Sequence, residues 1–246
     1  MHEYEQQQFN QQMLDNVDTY ALNRHITKVF GWTFLGLLTT AATVLFFIMG
    51  LAYAPDVFAP FLYSVLNVLL FISIGQMILV FSLTRRIETV KPSTAKVLYL
   101  VYAFSMGLFF TWVALVYSMH TIGAAFLITS VSFGAMAIYG TVSKQDLTRV
   151  GNMLKFALIG LLVGMIANIF IANTMLDMVV TLGGIFLFLA LTVYHANNIK
   201  HFYAYSVAKN GGDEGDLTQN LAILSALTLY MSFINLFLFL LRFMRD

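Results

Sequence analysis

The chain is 246 residues long and 59% apolar, with only 10% Asp, Glu, Lys and Arg and a formal net charge of +1. Soluble domains carry about 25% charged residues, so this composition cannot cover a water-facing surface and excludes a soluble globular protein. The near-zero charge, without a basic stripe, argues against a nucleic-acid partner. The lack of cysteine removes disulfides, thiolate metal centres and thiol nucleophiles.

Residues 1–28 are polar and contain acids, unlike a signal peptide or an acid-poor transit peptide. Within this stretch Phe9, Met13, Leu14, Val17, Tyr20 and Ala21 recur at helical spacing, which predicts a short amphipathic helix in a cytoplasmic leader. Apolar runs free of charge follow at 29–51, 61–83, 97–118, 121–142, 156–173, 178–198 and 218–241. Each approaches the roughly 20 residues that cross about 30 Å of hydrocarbon. They predict an all-α polytopic membrane protein, with seven transmembrane helices in one domain over 29–246 and the lipid bilayer as its partner. Pro55, Pro60 and Pro92 fall between the runs, so no internal helix proline is expected.

Basic residues in short loops favour the cytoplasmic side. Arg24 and Lys28 lie in the leader, Arg85, Arg86, Lys91 and Lys96 after the second run, Lys144, Arg149 and Lys155 after the fourth, and Lys200 and Lys209 after the sixth. A cytoplasmic N-terminus therefore puts eleven of the thirteen basic residues on that side. The exceptions, Arg242 and Arg245, follow a run long enough to carry them across, so the last helix is expected to cross fully.

Gly160 and Gly164, in a G-x-x-x-G pattern, and Gly107 beside Ser105 are candidates for close helix packing. No acid falls within a run, which leaves His195, near the cytoplasmic end of the sixth, as the ionisable group at depth. Two roles are open for it: a neutral imidazole hydrogen-bonded inside the bundle, or a proton sensor, since an unperturbed histidine titrates at about 6.5. Asn67, Ser73, Gln76, Asn168, Ser232 and Asn235 are uncharged polar groups expected to bond between helices. Asp213, Glu214 and Asp216 lack the alternating spacing of a Ca²⁺ loop. They fit a solvated loop that caps the last helix.

Several chemistries drop out. The last run has no lysine for a retinal Schiff base, no H-E-x-x-H is present, and Ser232 has no G-x-S-x-G around it. No catalytic residue, bound metal or cofactor is expected, and the chain does not read as an enzyme.

Four segments carry a family resemblance: AFSMGLFFT at 103–111, YGTVSKQDLTRVGNMLKFALIGLLVGMIANIF at 139–170, LTVYHANNIKH at 191–201 and LYMSFINLFLFLLRF at 229–243. In order and spacing the chain resembles the Bax inhibitor 1, or transmembrane Bax-inhibitor-motif, family from about residue 29 to its C-terminus. The resemblance implies seven helices with the seventh central in the bundle. It also implies a passive, pH-sensitive calcium leak, as in bacterial and organellar members, and anti-apoptotic roles in eukaryotic ones. The family's sensor resembles a pair of aspartates, one late in helix six and one in helix seven, assisted by an arginine after helix two. At those positions this chain has His195 after Tyr194, Ser232 before Phe233, Ile234 and Asn235, and Arg85 or Arg86.

The arginine is kept and both aspartates are replaced. Paired carboxylates can share a proton and suit Ca²⁺, for which imidazole nitrogen and hydroxyl are poor ligands. The resemblance thus implies a member of bacterial type, in a plasma membrane, whose cation pathway has His195, Ser232, Arg85, Arg86 and Asn235 as its sensor and pore residues and Ca²⁺ as its ion. A non-conducting regulatory or interaction protein is the alternative that the missing acids leave open, with its protein partners unknown.

Overall fold

The computed structural model describes residues 18–143, 147–210 and 215–245. They form seven helices: α1 Thr19–Tyr53, α2 Pro55–Arg85, α3 Pro92–Val116, α4 Met119–Val142, α5 Thr148–Ile171, α6 Thr174–Asn210 and α7 Asp216–Phe243. All seven are long and apolar enough to cross a membrane, and no strand occurs among the described residues.

Two boundaries differ from the sequence expectation. Helix α1 starts at Thr19, inside the expected leader: the Asp18 carboxylate accepts the Tyr20 N–H at 2.9 Å and its carbonyl accepts the Leu22 N–H at 2.9 Å. With that cap and no Gly or Pro before the first span, the helix runs unbroken into it and buries His25 at 4% exposure. The amphipathic helix expected from Phe9 lies, up to residue 17, outside the described residues, as do Lys144, Asp213 and Glu214.

The second correction concerns Pro60, which sits inside α2 and not between spans. Helix α2 opens on Pro55 at its first position, where a missing N–H has no helical partner to lose. Pro60 falls one turn later, so the lost hydrogen bond stays near the helix end. The Ser64 hydroxyl donates to the Pro60 carbonyl at 2.9 Å.

The helices gather into two compact units. One comprises Asn23–Ser118 and Ser206–Leu227, thus most of α1, all of α2 and α3, the end of α6 and the N-terminal half of α7. Phe47, Leu62, Val65 and Leu108 form a core there, with Leu51, Phe58, Ile72 and Trp112 packed against it. Gly107 has no side chain to collide with Thr43, and this close approach lets the Thr40 hydroxyl donate to the Ala103 carbonyl at 3.0 Å.

Among the described residues the other unit holds 18–22, Met119–Tyr205 and 228–245, which are the start of α1, α4, α5, most of α6 and the C-terminal half of α7. Phe133 meets Phe233 with ring centroids 5.3 Å apart, and Phe188 stacks on Phe239 at 5.7 Å. At Gly140 the missing Cβ admits the Val193 carbonyl and Ala196 of α6. Helix α7 is the enclosed element: 78% of its most apolar stretch is buried, against 6% for α2 and for α5.

Candidate functional site

Within the second unit α6 and α7 run antiparallel, since Asp177 meets Arg242, Phe188 meets Phe239 and His195 meets Ser232. The sequence places Ser232 on the face of α7 that also carries Phe239, two turns apart, so both reach α6. His195 Nδ1 lies 2.9 Å from Ser232 Oγ. Ser232 is 1% exposed, and its hydroxyl also donates to the Thr228 carbonyl at 3.0 Å. A hydroxyl has one proton to give. Both contacts are met together when Nδ1–H donates to Ser232 Oγ and Ser232 donates to Thr228. The Nδ1–H tautomer leaves Nε2 as the nitrogen that can accept a proton. The Tyr194 ring is 5.6 Å from that of His195.

The remaining sequence candidates each have their own surroundings. Asn235 donates to the Met231 carbonyl of its own helix at 2.8 Å. Arg85 ends α2 and Arg86 is its C-cap residue; both are exposed, and both lie in the first unit. A Cβ on Gly164 would come within 3.2 Å of Val180, closer than an ordinary contact, whereas a Cβ on Gly160 would meet nothing within 4 Å. Of the uncharged polar groups, Gln76 bonds across helices to Ser105 Oγ at 2.8 Å. Ser73 instead donates to the Leu69 carbonyl of its own helix at 3.0 Å, and Asn67 is exposed.

Three features were not anticipated. Asn197, fully buried, donates to the Gly140 and Ser143 carbonyls at 3.2 Å each and so caps the end of α4 from α6, with Lys200 donating to the same Ser143 carbonyl. In the first unit the fully buried Asn220 of α7 donates to the Ile87 and Val90 carbonyls, at 2.9 and 2.7 Å, and ties down the turn after α2. Neither asparagine carried a periodic signal, because each lies at the edge of an apolar run. The third feature is the Asp177–Arg242 ion pair. Its signal was present: Arg242 was an exception in the charge census, and Asp177 is the acid at the matching end of an antiparallel α6.

A family model described as "Inhibitor of apoptosis-promoting Bax1" matches residues 22–246. Inner membrane protein YbhL of Escherichia coli K12 is 34% identical over 226 residues, 90% of this chain and 91% of its own length. The Rickettsia prowazekii protein RP147 is 33% identical over 223 residues, 91% of this chain and 89% of its own. A Deinococcus radiodurans protein is 31% identical over 232 residues, 94% and 92% of the two chains.

Proposed function

This chain belongs to the Bax inhibitor family of integral membrane proteins, and from that premise we propose that it is a pH-sensitive cation leak, with Ca²⁺ as the ion and the His195–Ser232 contact as its sensor. The observation that carries the reading is the 2.9 Å contact itself, which joins α6 to α7 at the positions where the family resemblance expects paired aspartates. In the neutral state one imidazole nitrogen holds Ser232 and the helices pack closely. A proton arriving at Nε2 puts a full charge between two apolar helices, with Ser232 as its hydrogen-bonded neighbour across the contact among the described residues. Separation of the helices, with entry of water, relieves that charge. Acid therefore opens the pathway.

The membrane is the bacterial inner membrane, a placement supported by YbhL's own description. A cytoplasmic N-terminus is supported by the clustering of basic residues in alternate loops. The test uses purified protein in liposomes with a trapped Ca²⁺ dye. The expected result is Ca²⁺ entry above that of empty vesicles, several-fold larger at pH 6 than at pH 8. Entry no greater than in empty vesicles at either pH overturns the leak. The second reading, a non-conducting regulatory protein, would then stand; it is favoured by the 1% exposure of Ser232, the fully buried half of a contact whose His195 is half-buried.

A further inference from the structure

At the far end of the α6–α7 contact a second polar tie joins three helices. Asp177 lies in the first turn of α6 and Arg242 in the last turn of α7. Each charge thus sits at the helix end whose dipole favours it. One carboxylate oxygen, Asp177 Oδ1, accepts from Arg242 Nη2 and, at 2.9 Å, from Asn168 Nδ2 of α5. Asn168 Oδ1 in turn accepts the Asn173 N–H at 3.1 Å, and Asn173 Oδ1 accepts the Leu176 N–H at 3.0 Å. The carboxylate is thereby held by the α5–α6 turn before Arg242 reaches it.

The two ties differ in kind. His195 is eighteen residues beyond Asp177 on α6, a rise of about 27 Å, with the stacked Phe188 and Phe239 rings between them. Ser232 is sealed, whereas the Asp177 and Arg242 side chains are 42% and 31% exposed. Both charges stand at helix ends, and a partly exposed ion pair is a weaker and more readily reversible contact than a buried one.

We infer that Asp177 and Arg242 form an ion-pair latch that holds the C-terminal end of α7 against α6 and the α5–α6 turn, so that releasing the pair frees that end while the rest of the helix contact persists. Its effect on flux rests on the leak proposed above; its effect on the position of α7 does not. The absence of cysteine allows paired spin labels to be introduced without background. Labels at Met175→Cys and Phe243→Cys, exposed positions at this end, report the latch distance by double electron–electron resonance in liposomes. Labels at Val142→Cys and Phe186→Cys, also exposed, serve as a control within the same unit.

The latch predicts one narrow distance in the otherwise native chain and in Arg242→Lys, and a broadened or longer one in Arg242→Gln and Asp177→Asn, with the control pair narrow throughout. A latch distance unchanged in Arg242→Gln and Asp177→Asn overturns the inference, as does broadening of the control pair to the same extent. In the flux assay Arg242→Gln is expected to raise Ca²⁺ entry several-fold. Broadening confined to the latch pair without flux in any variant supports the latch and counts against the leak.

Discussion

Ala172 is the one non-glycine residue with a left-handed backbone among those described, at φ 51° and ψ 39°, where it ends α5 and its N–H donates to the Asn168 carbonyl at 2.8 Å. A Cβ there costs about 1 kcal/mol relative to glycine. Ala172→Gly should raise the thermal midpoint in detergent; a lowered midpoint would show that the side chain packs usefully. Asn220 supports a sharper comparison. Its amide donates to two carbonyls, so Asn220→Ala should destabilise by about 1–3 kcal/mol. Asn220→Asp, which turns a donor into a third acceptor facing those carbonyls, should destabilise further, and denaturant titration of the two variants orders them. His195 and Ser232 were legible in the sequence through the spacing of the family-like segments. Asn197 and Asn220 were not, since their work is done on carbonyls more than fifty residues away in the chain, a relation that periodicity does not encode.

At the scale of elements the seven apolar runs were legible because hydrocarbon thickness imposes length and excludes charge, and those two constraints dominate local propensity. The misses fall where they relax. Helix α1 extends beyond its apolar run, where the Asp18 cap sets the start and Ala21 and His25 are buried, and α2 tolerates Pro60 near its end. Glycine spacing told less. The G-x-x-x-G pattern does not say which face of α5 meets another helix, and Gly160 looks onto open space while Gly107 is filled by Thr43. Gly107→Val should therefore force α1 from α3 and destabilise by about 1–3 kcal/mol. Gly160→Val should leave the thermal midpoint within about 1 °C, and a large drop there would mean that a second chain covers that face.

For the whole molecule the charge census predicts that the last helix crosses fully, and the antiparallel pairing of Asp177 with Arg242 sets the C-terminal end of α7 beside the first turn of α6. Reporter fusions at residue 1 and after Asp246 should accordingly report opposite sides of the membrane; the same side for both would require a re-entrant helix. Family membership and the seven helices constrain what the molecule is, while the proposed leak rests on a contact the sequence could name only by position. The most direct measurement on that contact is Ca²⁺ entry into liposomes at pH 6 and pH 8 for His195→Gln beside the native chain. Loss of the pH difference, with the protein still folded, is the predicted result. An undiminished pH difference in His195→Gln would contradict the account and place the titrating group elsewhere.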